Sequence, residues 1–125
     1  MEERKILVVE DETAQLNLLT RILEDAGYNV VGVKDGVEAR EAYRRLNGEI
    51  DLVLSDVALP KFGGWTVYVM LRQINPDVKM ILTSGYLDER VRADLIKGGV
   101  KDFIAKPYSA ETIVGSVKQA LTGQL

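Results

Sequence analysis

The sequence predicts an α/β protein, a three-layer sandwich in which five parallel strands carry helices on both faces. Three observations lead there. Five short runs of apolar and β-branched residues alternate with five stretches of helical character. The connections between them are short, as parallel β-α units require. The first run, Ile6 to Val9, is apolar throughout rather than alternating, which marks a strand covered on both faces. Right-handed crossovers then distribute the helices to both sides of the sheet.

Each element has its own signal. Between Glu12 and Ala26, Leu16, Leu19, Ile22 and Leu23 recur at helical spacing, and Gly27 stands where a left-handed C-terminal cap belongs. Residues 28–33 read as the second strand. Asp35 and Glu38 have the spacing of a capping box, which opens a helix through Leu46 that Gly48 closes. Residues 52–55 form the third strand, which runs into Asp56 and a loop ending in Gly63-Gly64. A helix over 65–74 is stopped by Pro76. Residues 78–83 are the fourth strand. A short helix over 87–97 is closed by Gly98-Gly99, and residues 102–105 are the fifth strand. Lys106-Pro107 follows it, and Ser109 starts a last helix to about Leu121. There are no repeats or low-complexity tracts. One domain over 1–125 uses up the chain and leaves no room for a separate DNA-binding or catalytic domain.

Composition narrows the function. With 46% hydrophobic and 28% charged residues the chain is globular, and 125 residues should bury roughly two-thirds of their unfolded surface without staples. The absence of cysteine excludes disulfides, thiolate zinc sites and cysteine catalysis. The absence of histidine excludes Ser-His-Asp catalysis, histidine metal ligands and any phosphohistidine-donor role. Sixteen basic against nineteen acidic residues give a net charge of −3, which offers no electrostatic footprint for nucleic acid or an anionic membrane. No segment approaches the ~20 apolar residues of a membrane span. The opening Met-Glu-Glu-Arg-Lys has no signal-peptide core. A cytoplasmic location is the expectation.

In an open parallel sheet the functional crevice lies beyond the carboxyl ends of the strands. The polar residues there are Glu10-Asp11 after the first strand, Asp56 after the third, Thr83-Ser84 at the fourth and Lys106 after the fifth. Clustered carboxylates repel one another and resist desolvation unless a cation joins them. Mg²⁺ suits such a set, because it takes one or two carboxylates, waters and phosphate oxygens; Mn²⁺ is the alternative ion. One carboxylate could serve as nucleophile toward a phosphoryl group. The Lys106 ammonium and Thr83 hydroxyl would then neutralise charge on the equatorial oxygens.

These residues, with Pro60 four beyond Asp56, Gly63-Gly64, Thr83-Ser84-Gly85 and Phe103 three before Lys106-Pro107, resemble the response-regulator receiver domain of two-component systems. The resemblance covers roughly Arg4 to Leu121. It implies a flavodoxin-like strand order of 2-1-3-4-5. It implies Asp56 as phosphoacceptor and Mg²⁺ held by Asp11, Asp56 and the Ala58 backbone carbonyl, with Glu10 acting through water. It implies that Lys106 holds a phosphoryl oxygen and that Lys106-Pro107 is a cis peptide. Thr83 and Phe103 would be the switch pair, reshaping the face of the fourth helix, fifth strand and fifth helix. The implied partners are a sensor histidine kinase or a histidine phosphotransfer protein, and a downstream protein that binds that face, with a homodimer through it as a further outcome. In the family the residues two beyond the acceptor and two beyond the threonine flank the attacking water. Here they are Ala58 and Gly85, which cannot activate it, so autodephosphorylation should be slow.

Taken singly, several of these residues have plainer readings. Glu10-Asp11 suits a helix start, Thr83 a strand, Phe103 and Trp65 packing, and the run Asp88 to Asp94 a solvated face. Other function classes also compete. A phosphohydrolase of the haloacid-dehalogenase type needs a second Asp at position 58, where Ala stands, and a cap or substrate pocket, for which 125 residues leave little space. No phosphate loop for FMN or a nucleotide is present. A pseudo-receiver that binds proteins without phosphorylation need not bind Mg²⁺. The chain reads equally as a stand-alone messenger or as the receiver portion of a hybrid histidine kinase or a longer regulator, and the segment 81–86 resembles receivers attached to sensor kinases. The expectation is a phosphoacceptor switch rather than a turnover enzyme.

Overall fold

The computed structural model describes residues 4–46, 48–59, 62–86 and 88–123. Among them strands and helices alternate in the order β1 (Lys5–Val9), α1 (Thr13–Asp25), β2 (Asn29–Val33), α2 (Gly36–Arg45), β3 (Leu52–Asp56), α3 (Gly64–Ile74), β4 (Met80–Ser84), α4 (Glu89–Lys97), β5 (Asp102–Ala105) and α5 (Ala110–Thr122). Every strand pairing is parallel, and the sheet order is β2-β1-β3-β4-β5, the flavodoxin-like order expected.

The unbroken apolar runs are explained by two cores. Ile6, Val8, Leu52, Leu54 and Ile81 point to one face, closed by Leu19 and Leu23 of α1 and Ile113 and Val117 of α5. Leu7, Val9, Val53, Leu82 and Phe103 point to the other, against α2 and α3. Burying each such side chain contributes about 1.5–3 kcal/mol relative to exposure.

The element ends differ from expectation where a turn claims a backbone group. Tyr28 donates its N–H to Leu23 at the end of α1, so β2 starts at Asn29, whose N–H reaches the Arg4 carbonyl. Val78 closes a turn onto Asn75, which delays β4 to Met80. Asp88 caps α4 by accepting from the N–H groups of Arg90 and Val91, so the helix begins at Glu89. Leu87, its expected first residue, lies outside the described residues, as does Pro60. The Asp35 carboxylate accepts from Glu38 N–H at 2.8 Å, and the Glu38 carboxylate reaches back to the Lys34 N–H at 3.4 Å.

Candidate functional site

The strand order reverses between β1 and β3, and the sheet crevice opens there. β1 delivers Glu10 and Asp11, and β3 ends on Asp56. A carboxylate oxygen from each of the three lies within 4.8 Å of the others. Glu10 and Asp56 are buried, while Asp11 is exposed. Lys106 Nζ donates to Asp56 Oδ2 at 2.9 Å and lies 3.7 Å from Glu10 Oε2. The Lys106 backbone N–H donates to the Ser84 carbonyl at 2.7 Å, and the Lys106–Pro107 peptide is cis.

Asp56 is fixed by its surroundings. Its Oδ1 accepts from the Ala58 N–H at 3.1 Å, and its carbonyl accepts from Ser55 Oγ at 3.0 Å. Thr83 sits opposite it in the β3–β4 register, and Val57 N–H donates to the Thr83 carbonyl at 2.8 Å. Gly64 opens α3 directly beneath. A Cβ there would come to 2.7 Å from the Asp56 carbonyl oxygen and 2.8 Å from Leu82, so only glycine lets α3 approach so closely.

The buried charges shift one another's proton affinities. Burial, and then the Asp56 carboxylate, push the Glu10 carboxyl up to about 7, against the opposing pull of Lys106. Burial works against the Lys106 ammonium, but the hydrogen bond to Asp56 and the two carboxylate charges together raise its pKa. Glu10 Oε2 and Thr83 Oγ1 are buried with no hydrogen-bond partner among the described residues. Leaving a buried hydroxyl such as that of Thr83 without a hydrogen bond costs about 1–3 kcal/mol, while Glu10 Oε2 keeps only its ion pair with Lys106. An oxygen-only donor set whose buried carboxylate atom has no hydrogen bond suits a hard divalent ion. The orphaned hydroxyl suits an incoming oxygen.

The structure therefore brings Glu10, Asp11, Asp56, Thr83 and Lys106 to one edge. Phe103 lies in the β5 core, turned inward. Trp65 is 38% exposed, packs against Tyr68 at 5.4 Å and lies over Gly98. Two features had no readable signal. Tyr108 Oη donates to Gln15 Oε1 at 3.0 Å across 93 residues of chain. Asp102 ties α4 to α5 by accepting from Arg92 at 3.2 Å and from Ser116 Oγ at 2.7 Å. The run 88–94 is thus more than a solvated face.

The family model for the response regulator receiver domain matches residues 6–118. The sensor kinase CckA of Brucella abortus is 38% identical over 119 residues, which cover 95% of this chain and 13% of that protein. The chemotaxis protein CheY of Thermotoga maritima is 31% identical over 117 residues, covering 93% of this chain and 96% of that one. Among solved structures, the CheX-CheY-BeF₃-Mg²⁺ complex from Borrelia burgdorferi contains a chain 27% identical, superposing with a TM-score of 0.88 over 93% of this chain and 87% of that one. With sequence pattern, sheet order and these matches in agreement, the chain belongs to the response regulator receiver domain family and has the phosphoacceptor role of that family in two-component signalling.

Proposed function

We propose that Asp56 is the phosphoacceptor and that the described residues act as one receiver unit. The observation that carries this reading is the Lys106–Asp56 contact of 2.9 Å inside a three-carboxylate cluster. A carboxylate oxygen of Asp56 forms the new P–O bond as the P–N bond of a partner's phosphohistidine breaks, and the electron pair returns to the imidazole nitrogen. Asp11, Asp56 and the Ala58 carbonyl would hold Mg²⁺, with Glu10 acting through water. Bound there, the ion neutralises charge on the phosphoryl oxygens. Lys106 exchanges its contact on Asp56 for a phosphoryl oxygen, and the unpartnered Thr83 hydroxyl donates to another. As Thr83 shifts, space opens for Phe103 to turn further inward, and the α4-β5-α5 face changes shape.

The donor is a sensor histidine kinase or a histidine phosphotransfer protein, because this chain holds no histidine of its own. The output is a protein, or a second copy of this chain, that reads the α4-β5-α5 face. The Borrelia CheY complex supports both the ion and the protein partner, since it holds Mg²⁺ and CheX. A structure solved with beryllium fluoride and Mg²⁺ tests the assignment. A fluoroberyllate on Asp56 within hydrogen-bond reach of Lys106 and Thr83 is expected. An adduct on Glu10 or Asp11, or none in saturating Mg²⁺, contradicts it.

A further inference from the structure

Lys106 is held from both sides along the chain, and the second hold is not part of the acid cluster. On its N-terminal side, its own N–H is bonded to the Ser84 carbonyl. On its C-terminal side, Pro107 leads to Tyr108, whose ring packs on the core between the sheet, α1 and α5. The Tyr108 hydroxyl then reaches Gln15 Oε1 on the first turn of α1. Gln15, Lys106, Pro107 and Tyr108 line one cavity of about 260 Å³, with Leu18 and Gly85. The connection that carries the reacting ammonium is therefore fastened to the helix that follows Glu10 and Asp11.

We propose that Tyr108, through its hydrogen bond to Gln15, is a positioning residue for phosphoryl transfer. It sets the Lys106 ammonium against Asp56 and keeps it within reach of the incoming phosphoryl oxygens. This rests on the reading of Asp56 as phosphoacceptor. The geometry supports it in two ways. The bond joins β1–α1 to β5–α5 beside the site, at the end of a contact that α1 and α5 already make through their shared core. The half-buried ring already packs against the core, so the hydroxyl is not needed for packing. Transfer chemistry is sensitive to displacements of about 1 Å in such groups.

The test follows the rate of phosphoryl uptake from acetyl phosphate with Mg²⁺ by intact mass, over a range of donor concentrations. The proteins are the wild type, Tyr108→Phe, Gln15→Met, the double variant and Asp56→Asn. Each single variant is expected to lower the maximal rate by about 3–10-fold, the worth of one hydrogen bond. The half-saturating donor concentration should stay within about twofold, because small-donor binding does not use this bond. The double variant should be no slower than the slower single, since both remove the same contact. Melting midpoints serve as the structural readout and should barely move in Tyr108→Phe. Single variants with wild-type maximal rates, or losses that multiply in the double variant, overturn the inference. A wild type as unreactive as Asp56→Asn overturns the phosphoacceptor reading, and this inference with it.

Discussion

Ala58 and Gly85 are small residues at positions where a larger polar side chain could reach water near Asp56. Ala58 is exposed, and a Cβ at Gly85 meets nothing within 4 Å, so both positions accept a larger side chain without repacking. The Ala58→Asn, Gly85→Glu variant should lose its phosphoryl group at least about tenfold faster than the wild type, as a positioned polar group aids a water reaction. Decay of the phosphorylated mass measures this, and equal half-lives count against it. Phe103 gives a second residue-level test. It is buried in the β5 core and has no hydroxyl that an outward rotamer could satisfy. Phe103→Tyr adds one, which favours the outward rotamer. It should therefore lower the fraction in the active conformation after phosphorylation by a few-fold, about the worth of one hydrogen bond. Fluorine or methyl NMR reads the two populations, and an unchanged ratio contradicts this.

At the scale of elements, α3 and α4 are held in opposite ways. α3 presses its first residue, Gly64, onto the Asp56 carbonyl and Leu82. Gly64→Ala should cost about 1–3 kcal/mol of stability by overpacking and should slow phosphorylation as well, because the displaced strand end carries Asp56. Urea unfolding and the adduct rate measure the two effects. α4 has no buried residue. It is fastened by its Asp88 cap and by Arg92, which donates to Asp102 and to the Phe103 carbonyl. Arg92→Ala should speed amide exchange in α4 selectively, with global stability changed by about 1 kcal/mol or less. Uniform exchange across the sheet would contradict local fastening. The sequence made the elements legible through periodicity and caps. Strand and helix ends were less legible at Tyr28, Val78 and Asp88, where side chain or turn hydrogen bonds decide the boundary. The fastening of α4 was not legible at all, because Arg92, Asp102 and Ser116 meet only in space.

For the whole molecule, the site edge was legible because a parallel sheet gathers strand-end residues regardless of their separation in sequence. Glu10, Asp56 and Lys106 could be grouped from topology alone. The Tyr108–Gln15 bond could not, since neither residue ends a strand. The burial of Glu10, with the Asp56 charge beside it, carries into the pH dependence of folding. Glu10 ionises near 4.5 when unfolded and at about 7 when folded. The folded state therefore binds more protons between those values, and stability falls as pH rises through that window. Urea unfolding in chelator should show lower stability at pH 8 than at pH 5, and Glu10→Gln should flatten this slope. Mg²⁺ at about a hundred times its dissociation constant should add ~2.7 kcal/mol, and Asp11→Asn should remove most of that gain. The most direct measurement is intact mass after incubation with acetyl phosphate, with and without Mg²⁺, for the wild type and Asp56→Asn. A single Mg²⁺-dependent phosphoryl adduct, labile to hydroxylamine and absent from Asp56→Asn, is the expected result. No adduct on the wild type, or an adduct that persists in Asp56→Asn, would contradict an aspartyl-phosphate switch at this site.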